Sequence, residues 1–229
     1  MFVSSQNDEA DRLTWKQEVK DEHDLVIRTY SQDDFEGIKE MEKVVYPPPW
    51  PQDDLWSVEQ LQSHIDVFEE GALCAEYEEE IVGTMTTFIT DEMAEAEHTW
   101  EEVTDHGYLA HSHNEAGDTL YVADLQVNPM YRKLGIGKQL MFKGYELVQH
   151  LGLRRLIGAV RMPGYCAYKA QLTPEQYVSA VVAGRLKDPV ITFMMHCGRI
   201  PLHVVHNYLH DVRSGNNALL MEWRNPDFH

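Results

Sequence analysis

The sequence predicts an α/β (α+β) fold, a mixed central β-sheet flanked by helices, and three observations predict it. A strand-like run, "TLYVADLQV" (119–127), leads through a glycine-bearing loop into a helical pattern, which is followed by a second strand, "RRLIGAV" (154–160). Strand, helix, strand in that order makes a crossover unit joining two parallel strands. Before it, "ALCAEYEEEIVGTMTTFIT" (72–90) reads as a hairpin whose strands meet near Glu78–Glu80. After it, "PLHVVHNYL" (201–209) and "ALLMEW" (218–223) read as two closing strands around the turn "RSGNN". Parallel and antiparallel pairs in one chain, interleaved with helices, imply a mixed sheet in a single domain.

Taken in order, residues 1–24 are polar and acidic and read as an N-terminal arm, leaving 25–229 as the domain. "LVIRTY" (25–30) alternates apolar and polar side chains as a half-buried strand does. A helix follows, capped by Ser31 or Asp33, with Phe35, Ile38, Met41 and Val44 or Val45 on one face. "YPPPWPQDD" (46–54) admits neither helix nor central strand and is a rigid link. A second helix spans 57–68, with Leu61, Ile65 and Phe68 on one side. Residues 91–118 form a polar insertion rich in acids and histidines, partly helical at its start; long inserted loops are often functional. From Gly135 to Leu151, Ile136, Leu140, Met141, Gly144, Leu147, Val148 and Leu151 share a helical face. Thr173 caps a helix expected over 173–186, with Pro174 at its first position, and 190–198 forms a short helix ending at a glycine.

Composition narrows the partners. The 229 residues carry 38 acids against 19 bases, a formal charge of −19. Such a chain repels nucleic acid and anionic membranes, both of which need a dense basic surface, and attracts cationic partners such as amines. Three cysteines, Cys74, Cys166 and Cys197, form no CxxC pair, so neither a zinc knuckle nor a disulfide framework is suggested. A reduced, cytoplasmic setting is the simple expectation. The N-terminus lacks the apolar core of a signal peptide, and no apolar run approaches the length of a spanning helix.

The loop "YRKLGIGKQL" (131–140) carries the functional signal. A Walker loop needs GxxxxGK[ST], but Arg132 and Gln139 occupy its first glycine and its hydroxyl positions. A dinucleotide loop needs GxGxxG, and its third glycine is Leu140 here, with no acidic residue in the following strand region. R-x-x-G-x-G remains, at Arg132, Gly135 and Gly137. Loop amides entering a helix point at one spot, with the positive end of the helix dipole behind them. Glycine lets a diphosphate approach, and Arg132, Lys133 and Lys138 add positive charge in an otherwise acidic chain.

The run "LQVNPMYRKLGIGKQLM" resembles the acetyl-CoA loop of the GNAT superfamily of N-acetyltransferases: a strand, V-x-P-x-x-R-x-x-G-x-G, then an amphipathic helix. The element order from Leu25 to Trp223 is similar to that family's as well. The resemblance implies that the amides of Arg132, Lys133, Leu134, Gly135, Ile136, Gly137 and Lys138 hold the diphosphate of acetyl-CoA. It also implies that main-chain groups of Leu125, Gln126 and Val127 pair with pantetheine like an added strand, where this strand splays from its parallel neighbour. "RMPGY", "LTPEQYVSAVVAGRLKDPV" and "LMEWRNP" resemble the acetyltransferase modules fused to carbon–nitrogen hydrolases, although no hydrolase segment is expected within these 229 residues.

Acetyl transfer to an amine needs a proton acceptor, a donor for the oxyanion, an acid for the leaving thiolate and close alignment. Asp124, just before Leu125–Val127, is the first candidate base, with an ordinary structural carboxylate as the plain alternative. Tyr121 is a second candidate, on the opposite strand face. In the family a tyrosine in the helix preceding a Gly-Phe often supplies the acid; here that position is Met194, so Tyr165, Tyr168 or solvent is left for the role. Cys166 and Cys197 read as buried structural cysteines rather than acyl carriers. His98, His106, His111 and His113 crowd the insertion with Asp105 and Glu115, but their spacing matches no zinc pattern, and no metal is expected. An acid- and histidine-rich loop there suits selection of a cationic amine. The expected activity is direct acetyl transfer from acetyl-CoA to a polyamine-like molecule, an amino sugar or a protein amine. The rivals are a non-catalytic acyl-CoA-binding module and a metal-binding interaction protein. The oligomeric state, a homodimer among the options, stays open.

Overall fold

The computed structural model describes residues 25–48, 50–91 and 97–228. The arm expected over 1–24 and most of the expected helical start of the insertion lie outside the described residues. Seven strands form one mixed sheet in the order β1-β2-β3-β4-β5-β7-β6. The described residues up to Thr86, with Asp124–Leu151, make one compact unit; Thr87–Ala123 and the residues from Gly152 on make the other.

The first unit contains β1 (Leu25–Thr29), α1 (Phe35–Val45), α2 (Val58–Phe68), β2 (Ala72–Tyr77), most of β3 (Glu80–Thr90), the end of β4 (Thr119–Val127) and α4 (Ile136–His150). β1 and β2 pair antiparallel from Leu25↔Tyr77 to Thr29↔Leu73. Arg28 fastens the start of α1 to this pair, bonding Asp34 at 2.7 Å and Glu76 at 2.9 Å. β2 and β3 form the expected hairpin, closed by a two-residue loop with Glu78 and Glu79 both at positive φ, 52° and 67°. Two positive φ angles are the mark of a type I′ turn, whose twist suits the flanking strands. Ser57 starts α2 with a reciprocal capping box, its hydroxyl accepting from the Gln60 N–H while the Gln60 side-chain oxygen Oε1 accepts from the Ser57 N–H.

The second unit contains α3 (Trp100–Val103), the start of β4, β5 (Arg155–Arg161), α5 (Pro174–Val182), α6 (Pro189–His196), β6 (Ile200–Val205) and β7 (Ala218–Arg224). β4 and β5 pair in parallel over three positions, from Thr119↔Arg155 to Tyr121↔Ile157, although β4 runs on to Val127 and β5 to Arg161. The expected crossover is therefore present, with a short ladder. β7 enters between β5 and β6 and pairs antiparallel with both. Leu120, Leu156, Ile157 and Leu219–Met221 form a fully buried core along these strands.

Several local expectations shift for physical reasons. α5 ends at Val182 rather than 186, because Gly184 takes a left-handed conformation at φ +70° and the amides of Arg185 and Leu186 fold back on the Ala180 carbonyl. β6 stops at Val205, since the chain turns at Asn207 with φ 52°. Val44 is exposed, and Glu42 takes the buried position on α1. On α2 the buried set is Leu61, His64 and Phe68, with Ile65 only partly covered.

Gly83 marks a close approach in the first unit. A Cβ there would meet the Gln126 carbonyl at 3.0 Å, Leu140 at 3.2 Å and Ile136 at 3.3 Å, and both side chains are fully buried. Gly83→Ala should therefore destabilise the protein by about 1–3 kcal/mol through overpacking. Urea denaturation reads this directly; an unchanged midpoint would show that α4 moves away without cost.

Candidate functional site

The loop 128–135 is built by local bonds. Asn128 donates its N–H to the Val82 carbonyl at 2.9 Å, and its side chain accepts from the Met130 N–H at 3.0 Å. Pro129 begins a single 3-10 turn over Pro129–Tyr131. Tyr131 then ties the loop to the β2–β3 hairpin: its hydroxyl donates to Glu80 at 2.9 Å, and its ring meets Tyr77 edge-on at 5.7 Å. Beyond it, Lys133 lies at φ 72° and Gly135, the residue preceding α4, at φ 83°.

This conformation leaves main-chain donors without backbone acceptors. Among the described residues, the N–H groups of Lys133, Leu134 and Gly135 reach no backbone carbonyl. Those of Ile136 and Gly137 belong to the first turn of α4, where a helix leaves its amides without intrahelical partners. A Cβ on Gly135 would meet no protein atom within 4 Å, so the space over this residue is open. Arg132, Lys133 and Lys138 are exposed beside it, and Lys138 places its ammonium over the Phe142 ring at 5.1 Å. Amides without backbone acceptors, a helix N-terminus and surrounding bases suit a diphosphate.

Asp124 and Leu125, Gln126 and Val127 occupy the end of β4, in the same unit as the loop. Asp124 is half-buried and accepts from the Tyr46 hydroxyl at 3.4 Å, a long contact. Gln126, two residues on, is buried and donates to Glu42 Oε1 at 2.9 Å, while Glu42 Oε2 accepts from the Trp56 N–H at 3.0 Å. Burial pushes the Glu42 carboxyl up to about 8, and the Asp124 charge adds to the rise, against the hydrogen bonds from Gln126 and Trp56. Sequence reasoning missed Glu42. The available signal was its place four residues after Ile38, on the buried face of α1.

Tyr121 and Tyr168 lie in the second unit. Tyr121 is fully buried and stacks on Phe88 at 5.2 Å. Its hydroxyl bonds His98 Nε2 at 3.1 Å and the Tyr208 hydroxyl at 3.0 Å. Burial raises its phenol to about 12, although the Tyr208 bond works the other way, so it keeps its proton at neutral pH. Tyr168 packs against Tyr177 at 5.6 Å, and Tyr177 donates to the buried Asp188 at 2.9 Å. Tyr165 donates to the Leu172 carbonyl at 3.0 Å. Met194 is buried in α6, its sulfur accepting from Arg199 at 3.8 Å. Cys197 is buried as expected, whereas Cys166 is exposed, because the turn over Pro163–Ala167 faces it outward.

The insertion is held more tightly than its polarity suggests. Trp100 donates its ring N–H to the Ala123 carbonyl at 3.1 Å, and Leu109 is fully buried. His111 pairs with Asp105 at 2.8 Å, and His113 accepts from the Ile89 N–H at 3.2 Å. Among the described residues, no group of three or more histidine, cysteine or acidic side chains is arranged to hold a metal ion, and no helix is long and apolar enough to cross a membrane.

Comparison with known proteins extends this geometry. Residues 35–165 match the model of the acetyltransferase (GNAT) family. An uncharacterized N-acetyltransferase, YkwB of Bacillus subtilis (strain 168), is 47% identical over 88% of this chain and 89% of its own length. A probable hydrolase of the same organism, YhcX, is 34% identical over 90% of this chain, which spans only 40% of that relative. Among solved structures, the GphF GNAT-like decarboxylase in complex with isobutyryl-CoA superposes with a TM-score of 0.69 at 22% identity, covering 87% of this chain and 98% of that one.

Glu42 gives the site a pH signature in stability. Its folded value of about 8 exceeds the ordinary 4.5, so folding favours the neutral acid. That contribution is complete below about 4.5 and is lost as pH rises through about 8. Glu42→Gln cannot ionise, so the melting temperature of the variant relative to the native protein should rise between those limits. Parallel melting curves across the range would show that Glu42 ionises as readily folded as unfolded.

Proposed function

Because the chain belongs to the GNAT family of acetyltransferases, we propose that it transfers acetyl directly from acetyl-CoA, the family's usual donor, to an amine acceptor. The observation that carries the reading is the set of amides without backbone acceptors from Lys133 to Gly137 at the start of α4. These donors, with Arg132, Lys133 and Lys138, are assigned to the coenzyme diphosphate. Main-chain groups of Leu125–Val127 are assigned to pantetheine, since β4 continues beyond the last residue of its parallel ladder.

The amine nitrogen attacks the thioester carbonyl, the carbon–sulfur bond breaks, and the acetyl group stays on nitrogen. Asp124 takes the proton released from nitrogen. Its support is its half-buried place at the end of β4, next to the strand segment assigned to pantetheine. The thiolate of coenzyme A gains a proton from a tyrosine or from solvent. Tyr165, Tyr168 and solvent are the candidates for that acid, whereas Tyr121, the alternative base, is fully buried with its hydroxyl engaged by Tyr208 and His98. Met194 offers no proton at the position where the family often has a tyrosine. The charge of −19 favours a cationic acceptor, such as a polyamine-like molecule or a basic protein amine.

A panel of amines assayed for coenzyme A release tests the activity. Tight coenzyme binding with no thiol released from any amine would favour a binding module instead. Gly135→Glu puts a side chain and a negative charge at a left-handed position in the open cradle, and coenzyme A affinity should fall by at least about a hundredfold; isothermal titration of the folded variant checks it, and native affinity would sink the loop assignment. Asp124→Asn should lower kcat by about 100- to 10,000-fold and leave coenzyme A affinity nearly intact. A native pH–rate profile in this variant would remove Asp124 as the base.

A further inference from the structure

α1 and β4 meet through two matched contacts. Glu42 reaches Gln126, and Tyr46, four residues later, reaches Asp124, two residues earlier. The spacing is not accidental: four helical residues rise about 6 Å and two strand residues about 6.7 Å, so the pairs fall in register with the elements antiparallel. Residues two apart on a strand share a face, so Asp124 and Gln126 point to the same side of β4. The other oxygen of Glu42 holds the Trp56 N–H, at the far end of the proline-bearing link that Tyr46 begins. One buried carboxyl therefore ties the link and the candidate catalytic strand together.

We propose that Glu42 is a positioning residue for Asp124, fixing the end of β4 through Gln126 and setting, by its own ionisation, how readily Asp124 accepts a proton. The inference rests on the reading of Asp124 as base. Two carboxyls in a poorly solvated site do not both ionise freely, and they titrate as a coupled pair. Around Glu42, Lys39 lies on the same helix, Tyr46 follows it, Asp124 and Gln126 lie on β4, and Tyr30 follows β1. Behind the Trp56 N–H, His64 meets the Trp56 ring edge-on at 4.8 Å and bonds the Tyr30 hydroxyl at 2.9 Å. Among these, Lys39 pulls the Glu42 carboxyl down, while burial and the Asp124 charge push it up. At neutral pH Glu42 then holds a proton and leaves the negative charge to Asp124. As the medium becomes alkaline, Glu42 ionises and Asp124 becomes the stronger base.

Two measurements on the full chain test this. Glu42→Gln keeps the shape and loses the titration; kcat should drop about ten- to a hundredfold through misplacement, KM for acetyl-CoA should stay within about twofold, and the inflection of kcat near pH 8 should vanish. Infrared difference spectroscopy of the native protein should show a protonated carboxyl at neutral pH that fades with a midpoint near 8. That band should be absent in Glu42→Gln and should fade at lower pH in Asp124→Asn. Glu42→Asp keeps a titrating carboxyl but shortens the reach, so its band should persist while kcat stays low. Native rates with a native pH profile in Glu42→Gln would overturn the proposal. So would a native protein with no protonated carboxyl at neutral pH, a result that does not depend on any variant folding. Full activity in Asp124→Asn together with the expected band shift would remove Asp124 as base and still support the coupling.

Discussion

The left-handed turn at Gly135 is the constraint on which the candidate anion site depends. At φ 83° the chain reverses out of the β4 loop and starts α4 one residue later, and this fixes where the first amides of the helix point. A residue with a Cβ pays for that conformation in steric strain; glycine does not. Lys133, two residues before, also lies at positive φ and has no such exemption. Its strain is held in place by the bonds upstream, from Asn128 to Val82 and from Tyr131 to Glu80. The geometry of the loop is thus stabilised from outside it, by a hairpin distant in sequence.

Much of this was legible in the residues. The glycine spacing after Arg132, the strand before it and the amphipathic pattern after it predict the loop, and the hairpin over 72–90 and the crossover to β5 appear as expected. What the sequence conceals is polar side chains on buried faces. Glu42 and His64 stand at helical positions that apolar periodicity assigns to the core, and a hydropathy reading passes over them for Val44 and Ile65. They are tolerated because partners distant in the chain, Gln126, Trp56 and Tyr30, satisfy them. No local pattern encodes such partners. The end of α5 was missed for the opposite reason, since Gly184 sits inside an apparently regular run and stops it by backbone conformation alone.

The second unit shows the same economy of polar groups. Tyr121 is buried among strands, yet its hydroxyl is shared by a histidine from the insertion and by Tyr208 from the segment between β6 and β7. Arg199 is buried too, and it donates to the carbonyls of Gly158 and Met221 on two neighbouring strands. The insertion therefore contributes to the interior as well as to the surface. Its acids and histidines gave it the look of a solvated loop, while Trp100 and Leu109 fasten it to the unit.

The hairpin tip at Glu78–Glu79 has a further implication for how this protein can vary. Its two-residue length sets the pairing of Tyr77 with Glu80, and through Glu80 the anchor of Tyr131. One added residue would move each following side chain of β3 to the opposite face of the sheet. Glu80 would then turn away from Tyr131, even with every residue of the 131–138 loop unchanged. The geometry at 132–138 is therefore hostage to a length elsewhere: substitutions at the tip are cheap, and insertions are not.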